Sequence, residues 1–174
     1  MEKIYPGAEG RVTHALKQWL KQEERDTEID EDVDDYANEV RLGVEVDGQP
    51  YLVYLTACDQ DEWFSVSLNG HILVPPEKFN NLLRLLNKIN SSLYLGRIYC
   101  SDDGEDHVIH FESRIEFENG VVSVSQIDNL VKYSIRTLAK YGEIIAKIEK
   151  HEMSLEELWK KFVADNNEEA KSAE

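Results

Sequence analysis

Side chains able to do chemistry are plentiful in this 174-residue chain, and their spacing decides what they could do. Asp30, Asp32 and Asp34 occupy positions 1, 3 and 5 of a calcium loop of the EF-hand pattern. Such a loop needs Gly at position 6 and a bidentate Glu at position 12. Asp35 and Arg41 stand there instead, so the stretch reads as a solvated acidic surface. The turn Asp102-Asp103-Gly104-Glu105-Asp106 also carries carboxylates, but it is too short to cage an ion. His107 and His110 lie three apart on a predicted strand, which sends their side chains to opposite faces. His14, His71 and His151 have no Cys or His neighbour at ligand spacing, whereas zinc needs convergent N and S ligands. Cys58 and Cys100 form no CxxC pair and read as small buried hydrophobes. GxSxG, GxGxxG and the glycine-rich phosphate loop are all absent. No catalytic residue, no metal site and no cofactor is therefore expected.

The charge balance narrows the partners. Lys and Arg number 19 against 35 Asp and Glu, a net charge of −16. Nucleic acid and anionic membrane surfaces are bound mainly by clustered cations, so both are excluded as expected partners. No run of about 18 apolar residues could span a bilayer, and the opening MEKIYPGAEG lacks the apolar core of a signal peptide. Two cysteines are too few for a disulfide framework, and a cytoplasmic setting is the expectation.

Hydrophobic periodicity supplies the elements that must position any site. Val12, Ala15, Leu16, Trp19 and Leu20 make one stripe of an amphipathic helix over Arg11–Glu23. From Glu23 to Asp35 nine acidic residues and one Arg follow, half of the whole net charge, read as a frayed helix end and an exposed loop. Period-two patterns then predict strands at Val40–Val46, Tyr51–Cys58 and Trp63–Leu68. Asp47-Gly48 and Asn69-Gly70 read as tight turns, with Ile72-Leu73-Val74 leading out of the second. Beyond Pro75-Pro76, the residues Phe79, Leu82, Leu83, Leu86, Ile89 and Leu93 predict a helix over Glu77–Ser92. Strands follow at Leu95–Cys100 and His107–Phe117, the latter with Ile109, Phe111, Ile115 and Phe117 inward. A long helix capped by Ser123 or Ser125 runs to about Lys150, and a short one is expected at Ser154–Val163. Residues 1–7 are expected to be flexible, 8–163 to form one domain and 164–174 to be a disordered acidic tail.

Short turns between neighbouring strands imply an α+β fold, an antiparallel sheet with helices packed on it. The order α-β-β-β-α-β-β-α resembles that of type III secretion chaperones and of the YbjN-type proteins that share their fold. The resemblance is carried best by Val74–Ile148: VPPEKFNNLLRLLNKIN with Asn87 and Asn90 at its helix end, LGRIYCSDDGEDHVIHFESRIEF, and VSVSQIDNLVKYSI. The acidic segment and the extra C-terminal helix depart from it. The family is described as candidate sensory-transduction regulators or chaperone-like proteins without catalytic residues. The resemblance thus implies a secretion-chaperone-like fold, non-enzymatic protein binding and a homodimer.

One surface points to a partner. The strand Tyr51–Cys58 is apolar on both parities, and Trp63 shares the outward parity of Ser65 and Ser67. Leu52, Tyr54 and Trp63 are therefore expected to form an exposed patch of the residue types enriched at protein interfaces, unless a helix or loop covers it. The expected role is a chaperone-like adaptor or regulator that binds another protein, one with a basic segment given the acidic surround. An enzyme with an unrecognised site and an acidic mimic competing for basic partners are the alternatives.

Overall fold

A computed structural model describes residues 10–24, 37–46, 49–74, 79–102, 107–117 and 120–149, with 157 and 160 singly. The predicted helix at Ser154–Val163, the tail, residues 1–7 and most of the acidic run lie outside the described residues. The elements are α1 (Arg11–Gln22), β1 (Asn38–Val46), β2 (Gln49–Cys58), β3 (Trp63–Val74), α2 (Phe79–Ser92), β4 (Arg97–Asp102), β5 (His107–Glu116) and α3 (Val124–Glu149). The strands form one antiparallel sheet in the order β1-β2-β3-β5-β4. The fold is α+β, as the alternation of periods two and 3.6 required.

Alternation decides the two faces. Val40 and Leu42, Val53, Leu55 and Ala57, Phe64, Val66 and Leu68, Ile98, and Ile109 and Phe111 are buried. They meet Val12, Leu16, Trp19 and Leu20 of α1, Leu82, Leu85, Leu86 and Ile89 of α2, and Ile127, Leu130, Val131 and Leu138 of α3 in one core. All three helices therefore lie against the same side of the sheet, with α3 across β3 and β5, α2 against β4 and α1 against β2 and α3.

Three local devices hold this layer. The N-terminus of α1 has no side-chain cap of its own; the Asp59 carboxylate accepts from the N–H groups of Val12 (2.8 Å) and Thr13 (3.1 Å) instead. A Cβ at Gly10 would stand 2.2 Å from Asp59 Cγ, so the tight approach requires glycine. At α3 a capping box forms on Ser123 rather than Ser125: Ser123 N donates to Gln126 Oε1 (2.9 Å) and Gln126 N donates back to Ser123 Oγ (3.3 Å). Where α3 crosses β5, Ser113 and Ser134 are both buried with their hydroxyls 2.7 Å apart, and Ser134 Oγ donates to Leu130 O. Small residues there let helix and sheet approach closely.

Two expectations are corrected. Asn69-Gly70 is not a turn: β3 continues through it to Val74, and its pairing with β5 shifts between Gly70 and Leu73. A β-bulge absorbs the residues that would have reversed the chain, because Leu73 and Val74 pair onward with Val108 and His107 rather than back onto β3. In α2 the buried stripe is Leu82, Leu85, Leu86 and Ile89, while Leu83 is 38% exposed. Both stripes have helical spacing, and packing against β4 selects the one that includes Leu85.

Candidate interaction surface

The side of the sheet opposite the helices carries the odd positions of β1 and β3 and the even positions of β2 and β5. Register aligns them in rows. Gly43, Leu52, Asn69, His110 and Tyr99 form one row; Arg41, Tyr54, Ser67, Glu112 and Arg97 form the next. Glu39, Thr56, Ser65 and Arg114 follow, and Cys58, Trp63 and Glu116 end the series.

Leu52, Tyr54 and Trp63 all belong to this face and all are half-buried. They do not make one contiguous patch. Leu52 and Tyr54 are neighbours on β2, but Trp63 lies opposite Cys58, four residues from Tyr54, about 13 Å along the strand. The Thr56–Ser65 row separates them.

Arginine covers each aromatic group. The Arg41 guanidinium lies 5.6 Å from the Tyr54 ring centre, Arg114 4.4 Å from Trp63 and Arg97 5.2 Å from Tyr99. Three of the chain's seven arginines are thus stacked on rings of one face, within cation–π range. Each also pairs with a glutamate: Arg41 with Glu39 (3.0 Å), Arg97 with Glu112 (2.8 Å) and Arg114 with Glu116 (3.1 Å). The hydrogen bond to Glu112 raises the Arg97 pKa above its ordinary value. Burial, and then Glu112, raise that of the Tyr99 phenol. His110 stacks on Tyr99 with ring centres 5.1 Å apart and is held by Asn69 Oδ1 (2.7 Å) and Ser101 Oγ (2.8 Å). Sequence reasoning missed these arginine–aromatic pairs. Their signal was the recurrence of Arg and aromatic residues at like parity, which becomes legible only once strand register is known.

The groups considered for chemistry stay apart. His110 belongs to the outer face, while His107 has the opposite parity on β5. Cys58 is buried, Cys100 half-buried, and neither forms a disulfide. Among the described residues no three His, Cys, Asp or Glu side chains converge as a metal site. No helix among them is long and apolar enough to cross a membrane.

On the helical side an open cleft of about 580 Å³ lies between the end of α2 and α3, lined by Tyr94, Asp128, Lys132, Tyr133, Arg136 and Lys140 among others. Lys132 Nζ donates to Asp128 Oδ2 (2.7 Å), and Trp19 Nε1 donates to Asp128 Oδ1 (3.2 Å). The Lys132 ammonium, helped by the Trp19 indole, holds the Asp128 carboxyl below its ordinary value. The Tyr133 hydroxyl donates to Leu95 O (2.9 Å) and accepts from Leu95 N (3.1 Å), fixing the α2–β4 connection.

At the far edge of the sheet, Asn90 has a definite task. Its side-chain amide donates to Ile98 O and accepts from Ile98 N, both at 2.8 Å, so it occupies the outward backbone groups of that one residue of β4.

Comparison with known proteins agrees with this architecture. No curated protein matches the sequence. The crystal structure of YbjN, a putative transcription regulator from E. coli, superposes with a TM-score of 0.53 at 19% identity, covering 81% of this chain and 93% of that one. A family model, YbjN, described as putative bacterial sensory transduction regulator, matches residues 14–146. That span runs from α1 to near the end of α3 and takes in every strand, so the chain belongs to the YbjN family.

Proposed function

We propose that this protein is a non-enzymatic, cytoplasmic protein-binding regulator of the adaptor or chaperone-like kind, and that the outer sheet face, centred on Leu52, Tyr54 and Trp63, is where it docks. The observation that carries this reading is the one-sided packing among the described residues: α1, α2 and α3 lie on one side, and rows of arginine-stacked aromatic side chains occupy the other. Tyr, Trp and Arg are the residues that most often dominate binding energy at protein interfaces. A family described as sensory transduction regulators fits a binding role better than turnover. Because the whole chain carries a net charge of −16, a partner with a basic segment is drawn toward it, and its encounter is fastest at low salt.

The test is capture of partners from a native-host extract by the full chain and by its Tyr54→Ala and Trp63→Ala variants, with folding checked by circular dichroism. We expect both variants to lose the partner at about 0.05 M and about 0.5 M salt alike, since the contact is desolvated rather than screened. Neutralising Asp30, Asp32 and Asp34 is expected to weaken capture only at the lower salt. Folded variants that retain every captured protein would exclude this face. Binding that vanishes with salt and ignores Tyr54 and Trp63 would indicate an electrostatic mimic instead.

A further inference from the structure

Charge is divided unequally between the two layers of the fold. Arg11, Lys17 and Lys21 on α1 and Arg84 and Lys88 on α2 share those helices with no acidic residue, although the whole chain carries −16. α3 has no acidic residue between Asn129 and Gly142. Lys132, Arg136 and Lys140 fall in that stretch at four-residue spacing, and all three line the open cleft of about 580 Å³ between the end of α2 and α3. Like charges so spaced weaken a helix unless an anion lies between them. Among the described lining residues Asp128 is the one carboxylate, so three cations stand against one anion. The α2 side contributes Tyr94, which is 95% exposed. Leu95 N and O are both bonded to the Tyr133 hydroxyl and Gly96 takes φ +80°, so the backbone beside Tyr94 is held and its exposure is built in.

We propose that this cleft binds a nucleoside diphosphate or triphosphate, its phosphates along Lys132, Arg136 and Lys140 and its base on the Tyr94 ring. The row of cations is about 12 Å long at 1.5 Å per residue, more than a single phosphate group can touch. An arginine fork at its centre matches the geometry of phosphate oxygens, and a lysine on either side supplies charge. An exposed flat ring beside such a row offers a stacking platform for a base, whichever base it is. The volume lies within the range of small-ligand sites, roughly 300–1,000 Å³. Size and charge also favour a nucleotide over a longer polyanion. A nucleic acid or an acidic peptide would run out of the cleft along a chain of net charge −16, whereas a nucleotide ends inside it. Asp128 lies at one end of the row, where its carboxylate holds Lys132 at 2.7 Å and opposes the incoming phosphates. The site belongs to the helical layer and does not depend on the docking role given to the outer sheet face.

The test is calorimetric titration of the full chain with ADP, adenosine and tripolyphosphate at about 0.05 M salt, without divalent cations. We expect ADP to bind, and more tightly than either of its two parts. Arg136→Gln should weaken ADP and tripolyphosphate alike by roughly tenfold, the size of one charge-assisted contact. Tyr94→Ala should weaken ADP by roughly tenfold and leave tripolyphosphate unchanged, because only the stacked ring is lost. Asp128→Asn should tighten both several-fold by removing a repelling charge. Tyr54→Ala, on the other layer, should leave every value as it was. Arg136 and Tyr94 are both exposed, so neither variant empties the core, and circular dichroism checks that each is folded. No ADP binding up to about 1 mM, or ADP binding indifferent to Arg136→Gln or to Tyr94→Ala, would overturn the proposal. So would an equal loss of tripolyphosphate in Tyr94→Ala, or poly-glutamate that displaces ADP at equal charge concentration.

Discussion

The buried hydroxyl pair under α3 allows a quantitative test, because its protons can be assigned. Leu130 O can only accept, so the one hydroxyl hydrogen of Ser134 is committed to it at 2.7 Å. Ser134 must therefore accept at the 2.7 Å contact with Ser113, and Ser113 is the donor. The two single substitutions are then unequal. Ser113→Ala leaves Ser134 bonded to Leu130 and removes one hydrogen bond, about 0.5–1.5 kcal/mol. Ser134→Ala strands the Ser113 hydroxyl where it is 1% exposed, costing about 1–3 kcal/mol for an unmet buried donor. The better helix propensity of alanine offsets about 0.5 kcal/mol of that. The double variant removes both polar groups and should cost less than the sum of the singles by about 1 kcal/mol. Urea unfolding followed by circular dichroism and tryptophan fluorescence, at constant m-value, measures all three. Ser113→Ala costing more than Ser134→Ala, or additivity within about 0.3 kcal/mol, would refute the assignment.

Other outcomes follow from single contacts. Leu86→Ala should cost about 2–5 kcal/mol in urea unfolding, the usual range for emptying a core leucine, since Leu86 lies in the buried stripe of α2; a loss under about 0.5 kcal/mol would mean that face is not packed. Gly96 has φ +80° and a Cβ there would stand 2.5 Å from Glu112 O, so Gly96→Ala should cost at least about 2 kcal/mol. For a chain of this size that is a fall of about 4 °C or more in thermal midpoint, and an unchanged midpoint would contradict the geometry. The carboxyl of Asp128 is held below its ordinary pKa by Lys132, so its contribution is present above the unfolded carboxylate value and is lost as pH falls through the folded one. The stability difference between the native chain and Asp128→Asn should be under about 1 kcal/mol at neutral pH and shrink on acidification; a gap that widens in acid would contradict the sign.

Element order was readable because the apolar period changes cleanly between two and 3.6, and the family resemblance rested on that same pattern. What the pattern lacks is the identity of each neighbour. Asn69-Gly70 has the composition of a hairpin turn, yet Leu73 and Val74 after it pair with Val108 and His107 of β5, far later in the chain. Leu83 and Leu85 fit a helical stripe equally well until β4 chooses a side. Leu52, Tyr54 and Trp63 share one face of the sheet, but their spacing across it depends on a β2–β3 register that no local signal carries. The same holds for Arg114, which reaches Trp63 from the next strand. The Asn90 clasp on Ile98 spans only eight residues, and a helix-end asparagine before a strand was the visible trace of it.

The strand order β1-β2-β3-β5-β4 also sets how the chain can assemble. β1, β2 and β3 follow one another in sequence and in space, and β4 with β5 forms a second local hairpin. Only the seam between β3 and β5 joins distant segments, with Trp63 against Glu116 and Leu68 against Phe111. Closing that seam fixes the largest loop in the sheet before its contacts compensate the lost chain entropy, so we expect it to limit the folding rate. α3 lies across both seam strands, so it can dock only when they have met. Changes along the seam are therefore expected to act on the folding rate, whereas changes beneath α3, which docks after the seam has closed, act chiefly on the rate of unfolding.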